Sequence, residues 1–332
     1  MIDLTPGTWT TRPVGTRDIG PANVRGLAKH IAVIPALGKT WWLGGDYPMS
    51  TGGMDSGRNE LWSLDAENWI WNLETPFCSG QVQPAGPDQI GWVWDESRQR
   101  FWMTPGFQWG SRVTDCPTSL YRVSLSFDPV TKTWERSNRA EYPGGIPGQM
   151  RYNVYDPVSD SFFAFTEDSR IRIYHFTTNL WSTVSFNQAY SGRTIRLAYV
   201  KSAIDVDGRK VYAVDRESNL KHLYCYDIDA QRLDDLGECP LRSDFLGTPL
   251  EWDSTHNVLY LVQTYGTEAR VKLDAYHPGT KQWEALGQDI KAGTSIVKGV
   301  NSVYDPAQDV LIIGGTNALN PVPFWFLYRH NS

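Results

Sequence analysis

No run of 18 apolar residues occurs in this 332-residue chain, which excludes a helical membrane span. Its first residues, MIDLTPGTWTTRP, carry neither the basic nor the apolar segment of a secretory leader. The sequence therefore predicts no signal peptide and synthesis in the cytoplasm. No segment sustains a 3.6-residue apolar period, which argues against a helical fold. Histidine is scarce. His30, His175, His222, His256, His277 and His330 are scattered, and no two have metal-ligand spacing with a third ligand nearby. No metal and no other cofactor is predicted. The net charge of −6, with no lysine-rich tail, argues against general affinity for nucleic acid.

Cysteine is also rare, with four in the chain. Cys225, in Leu-Tyr-Cys-Tyr-Asp, reads as a small buried hydrophobe, and Cys239 follows the next strand. Cys78 and Cys116 fall on one face of the molecule. They can form a disulfide if their Cα atoms lie within about 7 Å, or remain free thiols in a reducing compartment.

What the chain has in abundance is aromatic residues, 13% of the total with 15 tryptophans, and a repeat. One template is an aromatic or apolar residue, a polar turn, and a large apolar residue seven positions on. It reads FDPVTKTW at 127–134, YHPGTKQW at 276–283, YHFTTNLW at 174–181, YDIDAQRL at 226–233 and LDAENWIW at 64–71. The anchors Trp71, Trp134, Trp181, Leu233 and Trp283 recur at roughly 50-residue intervals, a period that signals repeat architecture. Each is expected to be buried between repeats. A sixth anchor, Trp9, lacks its preceding hairpin half, and the aromatic run at 324–328 supplies that half from the other end of the chain.

A second template, an aromatic-Asp turn followed by an apolar run, precedes the first, as in VYDPVSDSFFAF (154–165) and VYDPAQDVLIIGG (303–315). Each repeat thus offers four short strands bounded by Asp, Gly, Pro and Asn. The expected fold is all-β: a six-bladed β-propeller of four-stranded antiparallel blades, the sixth closed by N- and C-terminal strands. Its blades fall near 28–74, 89–136, 151–185, 194–236, 247–287, and 299–330 joined to 1–12, in one propeller over 1–332.

The Gly44-Gly45 and Gly314-Gly315 pairs, each ending an apolar strand and followed by a Trp, resemble kelch repeats, and the likeness covers nearly the whole chain. The middle four repeats have Thr104-Pro105, Thr166-Glu167, Asp215 and Gln263-Thr264 there, so the chain resembles a divergent kelch-like propeller. That resemblance implies the fold and the closure by both termini, and leaves function open.

Function is expected in the loops. One face carries the tight turns inside the templates, with Lys132, Lys210 and Lys281 as bystanders. The other carries the long connections and about half of the arginines, including Arg139. Arg58, Arg112, Arg170 and Arg216 are expected to line a common rim there, with Trp109 and Tyr265 as aromatic anchors. Guanidinium forks suit carboxylates or phosphates, and aromatics supply contact area.

No catalytic residues are assigned. The Asp boxes of six-bladed sialidases are missing, and nothing matches the Tyr-Cys and histidine set of copper-radical oxidases. Glu167, Asp168, Glu217 or Glu268 beside Arg170 or Arg216 resemble the acid and arginine groups of kelch-type sialic-acid mutarotases.

The expected function is a non-enzymatic binding or assembly module on the long-loop face. Its partner would be a protein, assembly subunits or an anionic glycan. One setting is a virion component such as a phage tail or capsid attachment protein. The alternatives are a cytoplasmic protein-interaction propeller and a carbohydrate-active enzyme of the mutarotase kind.

Overall fold

A computed structural model describes residues 4–12, 31–34, 37–43, 60–65, 68–76, 79–80, 82–84, 92–103, 119–120, 124–137, 139, 152–166, 170–185, 202–214, 221–241, 250–265, 270–287, 289–291, 297–317 and 323–331. They form six antiparallel blades. Blade one is Ile31–Ile34, Lys39–Leu43, Leu61–Asp65 and Ile70–Thr75; blade two is Trp92–Asp95, Arg100–Met103, Leu125–Asp128 and Thr133–Arg136. Blade three is Tyr152–Asp156, Ser161–Thr166, Arg170–His175 and Leu180–Ser185; blade four is Ala203–Asp205, Lys210–Val214, His222–Asp227 and Arg232–Glu238. Blade five is Leu250–Asp253, Val258–Tyr265, Arg270–His277 and Gln282–Ala285, with Ile290–Lys291 added beside its third strand. Blade six is Val297–Asp305, Val310–Asn317 and Pro323–Tyr328, completed by Trp9–Arg12.

The first strand of each blade adjoins the first strand of the next, from blade one round to blade six and back. These strands therefore form the inner wall of a closed ring. Closure is made by main-chain pairing of Trp9 with Tyr328 and Arg12 with Trp325, which removes an unpaired edge. Near the second blade, Gln83–Pro84 runs parallel to Ser119–Leu120. These two strands follow Cys78 and Cys116 in the sequence, and both cysteines are outside the described residues.

Strand alternation makes each blade apolar on both faces, so the core is divided among the interfaces. Trp41 and Leu61 of blade one meet Phe101 and Phe127 of blade two. Val93 and Trp102 of blade two meet Phe162 and Tyr174 of blade three. Similar clusters join blades three and four, four and five, five and six, and six and one. Every anchor of the repeat faces the preceding blade, opposite its partner in the register: Trp71 with Leu64, Trp134 with Phe127, Trp181 with Tyr174, Leu233 with Tyr226, Trp283 with Tyr276, and Trp9 with Tyr328.

Trp71, Trp134 and Leu233 are buried as expected, whereas Trp181 and Trp283 are only half-buried. The expectation of full burial is corrected at these two positions, although both still pack against the preceding blade's cluster. Gly314 has a packing reason. A Cβ there would lie 2.4 Å from the ring of Trp325, which crosses into the blade six–one interface to meet Trp71 at 4.7 Å.

The tight turns follow one rule. The Asp that ends an inner strand accepts amide hydrogens two and three residues on: Asp156 from Val158 and Ser159, Asp253 from Thr255 and His256, and Asp305 from Ala307 and Gln308. The fourth turn residue is left-handed even without glycine, as at Lys132 (φ 58°), Asp160 (φ 47°), Arg209 (φ 57°) and Asp309 (φ 52°). Gly7 (φ 72°) fills this place in the turn assembled from the two chain ends, where its N–H donates to the Arg329 carbonyl at 2.8 Å.

Candidate functional site

The left-handed turn residues reach back to the preceding blade. Lys132 of blade two bonds Glu74 of blade one at 2.7 Å, and Arg209 of blade four bonds Asp156 of blade three at 2.5 Å. Asp160 of blade three receives both Nη atoms of Arg98 of blade two at 2.8 Å. Lys132 thus has a structural role, since the Glu74 side chain is 2% exposed and needs its charge matched. Burial opposes ionisation of Glu74, but bonds from Lys132 and Ser63 and the charge of Lys39 outweigh it and lower its pKa.

The Arg98 clamp forms one wall of a cleft of about 480 Å³ between blades two and three. Alternation on blade two sends Phe101 and Met103 toward blade one and presents Arg100 and Trp102 on the opposite face, toward blade three. Ser126 lies opposite Trp102, and Glu135 lies opposite Ser126. Blade three contributes Phe176 and Asn179 from its outer turn.

Arg98 also bonds Asp95 at 2.9 Å, and its guanidinium lies 5.0 Å from the centroid of Phe176. Its bonds to Asp160, then to Asp95, raise its pKa against the effect of burial. The same pair holds the Asp160 carboxyl down at about 2, with Tyr155 and Thr177 adding hydrogen bonds. Arg100 pairs with Glu135 and, at 3.5 Å, with Asp128. The acids lining the cleft, Asp95 and Glu135, are therefore already engaged.

Two further arginines have no carboxylate partner among the described residues. Arg136 is exposed on the outer strand. Arg139 stacks 4.9 Å from the Phe176 centroid and reaches the Phe176 carbonyl at 3.4 Å. The sequence grouped Arg139 with the long loops, whereas the structure carries its side chain onto a blade-three tight turn. The residues lining the cleft supply planar donors and an aromatic face, which suits an anion.

Of the residues expected to form a rim, Arg170 is exposed and begins a blade-three strand, and Tyr265 ends a blade-five strand. Both stand at strand ends adjoining the long connections. Arg58, Arg112, Arg216 and Trp109, and the side chain of Tyr265, lie outside the described residues. Sequence reasoning missed Arg98, Arg100, Arg136 and Phe176. Phe176 had a signal, since it stands where Pro129 and Pro278 stand in sister repeats.

Asp253, His256 and Asp309 lie close enough to hold a metal ion. Asp253, however, already accepts from Tyr260 at 2.6 Å, from His256 Nδ1 at 2.8 Å and from two amides, and Asp309 accepts from Tyr304 at 2.8 Å. The trio occupies the repeat positions of Asp95, Arg98 and Asp160, so it is a clamp of the same kind. Cys225 and Cys239 are buried, and burial pushes both thiols up to about 12, which leaves them unreactive.

Fold and closure define the class: a six-bladed β-propeller whose last blade is shared by the two ends of the described chain. No family model and no curated relative matches it. Among solved structures, it resembles a chain of a nidogen/laminin complex, with TM-score 0.51 and 10% identity over 83% of this chain and 92% of that one. It also resembles an auxiliary nutrient binding protein from Bacteroides thetaiotaomicron, with TM-score 0.55 and 11% identity over 91% of this chain and 69% of that one. At these identities the likeness is one of fold.

Proposed function

We propose that this propeller is a non-enzymatic binding or assembly module that engages an anionic surface of a partner protein. The observation that carries this reading is the cleft between blades two and three, lined by Arg136 and Arg139, neither with a carboxylate partner among the described residues, where Arg139 stacks on Phe176. The ring is a scaffold whose internal charges are matched across blades, while these two guanidiniums remain to meet carboxylates or phosphates on a partner.

As a second part of the proposal, the long-loop residues Arg58, Arg112, Arg170 and Arg216, with Trp109 and Tyr265, would form an anion-binding rim on the long-loop face. The Gly314-Gly315 pair and the four-stranded blades support a kelch-like ancestry, in which propellers commonly bind proteins. A place in a larger particle, such as a phage tail, belongs to the same reading and is separated from a cytoplasmic complex by imaging the native assembly.

Mapping that assembly by hydrogen exchange tests the site. Protection is expected around Ser137, Arg139 and Arg170, and Arg136→Glu together with Arg139→Glu should weaken association by about tenfold or more while leaving folding intact. Protection confined to the turns 206–209 and 278–281, with unchanged affinity of the double variant, overturns the proposal.

A further inference from the structure

The seam between blades five and six gathers histidines that the sequence scatters. His256 lies in blade five's inner turn, with Nδ1 2.8 Å from Asp253 and 3.6 Å from Asp309 of blade six. His277 ends blade five's third strand, with Nε2 3.0 Å from Glu284. His330 follows the last strand of blade six, and its ring centroid lies 4.7 Å from that of His256 and 6.5 Å from that of His277. Tyr260 and Tyr328 flank it, at 6.0 and 6.5 Å. Arg329 lies 4.0 Å from Asp309 and also bonds the carbonyl of Leu4, tying the two ends of the ring together.

The repeat gives this seam its meaning. Arg98 and Asp160 join blades two and three with a permanent charge pair, and Tyr155 donates to Asp160 at 2.9 Å. His256 and Asp309 hold the same two positions between blades five and six, and Tyr304 donates to Asp309 at 2.8 Å. The permanent cation is thus replaced by a titratable one at the interface that the terminal strands close.

Carboxylates stand beside the other two imidazoles, Asp253 and Asp309 at His256 and Glu284 at His277. His330 has no carboxylate within bonding distance among the described residues, and its Nδ1 is buried without a hydrogen-bond partner. We infer that the blade five–six seam is a pH-sensitive closure, in which mild acid charges His330 against its two neighbouring imidazoles and loosens the terminal strands from blade five. Burial first, with the charges of His256 and His277, holds the His330 pKa below its ordinary value, against the pull of Asp253 and Glu284. An opened chain then binds more protons than the closed ring, so closure is favoured above about pH 6.5 and weakens as pH falls through that value.

The test compares the native chain with His330→Gln at pH 7.5 and pH 5.5, a window in which ordinary carboxylates stay ionised. The native Tm should fall by about 2 °C more than that of the variant between the two pH values. Hydrogen exchange at pH 5.5 should lose protection first in Trp9–Arg12 and Pro323–Tyr328. Equal Tm shifts in both proteins, or loss of protection spread evenly over all blades, overturn the inference. Should the variant fail to fold, the NMR titration of His330 in the native chain decides: a midpoint below about 6.5 upholds the closure, and one at or above it refutes it.

Discussion

Arg98 shows how a single turn residue becomes structural. By sequence it sits in a tight turn like any other, whereas in the ring its guanidinium bonds Asp95 and Asp160 and covers Phe176. Asp160 is held at about 2, below an ordinary carboxyl, so its stabilising effect is fully present above about pH 4 and is lost as pH falls toward 2. The shift corresponds to about 2 kcal/mol. Arg98→Ala should lower the unfolding free energy at pH 7 by that order, and should flatten its pH dependence between about 5 and 2. Urea unfolding across that range measures both, and a variant with the native pH profile would show that the pair contributes nothing. The sequence could not mark Arg98 or Lys132, because Asp160 and Glu74, which they meet across the blade seams, are far away in the chain.

At the scale of the strand, Trp9–Arg12 does two jobs. It supplies main-chain partners to the 323–328 strand and places Trp9 against Phe326 and Tyr328, with ring centroids 6.3 and 5.0 Å away. Leu4, just before it, is buried in the blade six–one cluster. Removing residues 1–12 should therefore cost at least about 2–4 kcal/mol from Trp9 alone, less than a fully buried Trp because it is half-buried. The truncated chain should also self-associate through the bared strand. Thermal unfolding and light scattering check this, and a truncated chain with native Tm and mass would refute the closure's energetic role. The split blade was legible from Trp9 without a hairpin and an aromatic run without an anchor. The left-handed fourth turn residue was not, since Lys, Gln and Arg occupy it as often as Asn or Asp.

At the scale of the ring, stability is shared among six interfaces, each needing both of its blades. Trp325 is 1% exposed and meets Trp42, Trp69 and Trp71 across the blade six–one interface at 5.0, 6.2 and 4.7 Å. Trp325→Ala should cost about 3–5 kcal/mol and still leave one cooperative transition, because a ring cannot lose one interface and keep its neighbours' geometry. Tryptophan fluorescence and far-ultraviolet circular dichroism should coincide through the transition. Separate midpoints would mean that blades unfold independently.

The sequence by itself determined the repeat, the number of blades, the strand pairs and the closure, because these follow from local alternation and turn chemistry recurring at a fixed period. Phe127 and Trp134 are opposite one another for reasons contained in eight residues. Only the tertiary structure decided what meets across blades. The Arg98–Asp160 clamp, the cleft beside Phe176 and the meeting of His256, His277 and His330 join residues with no local relation. Their charges act over a few ångströms of space, and the chain alone does not say which turns the ring will bring that close.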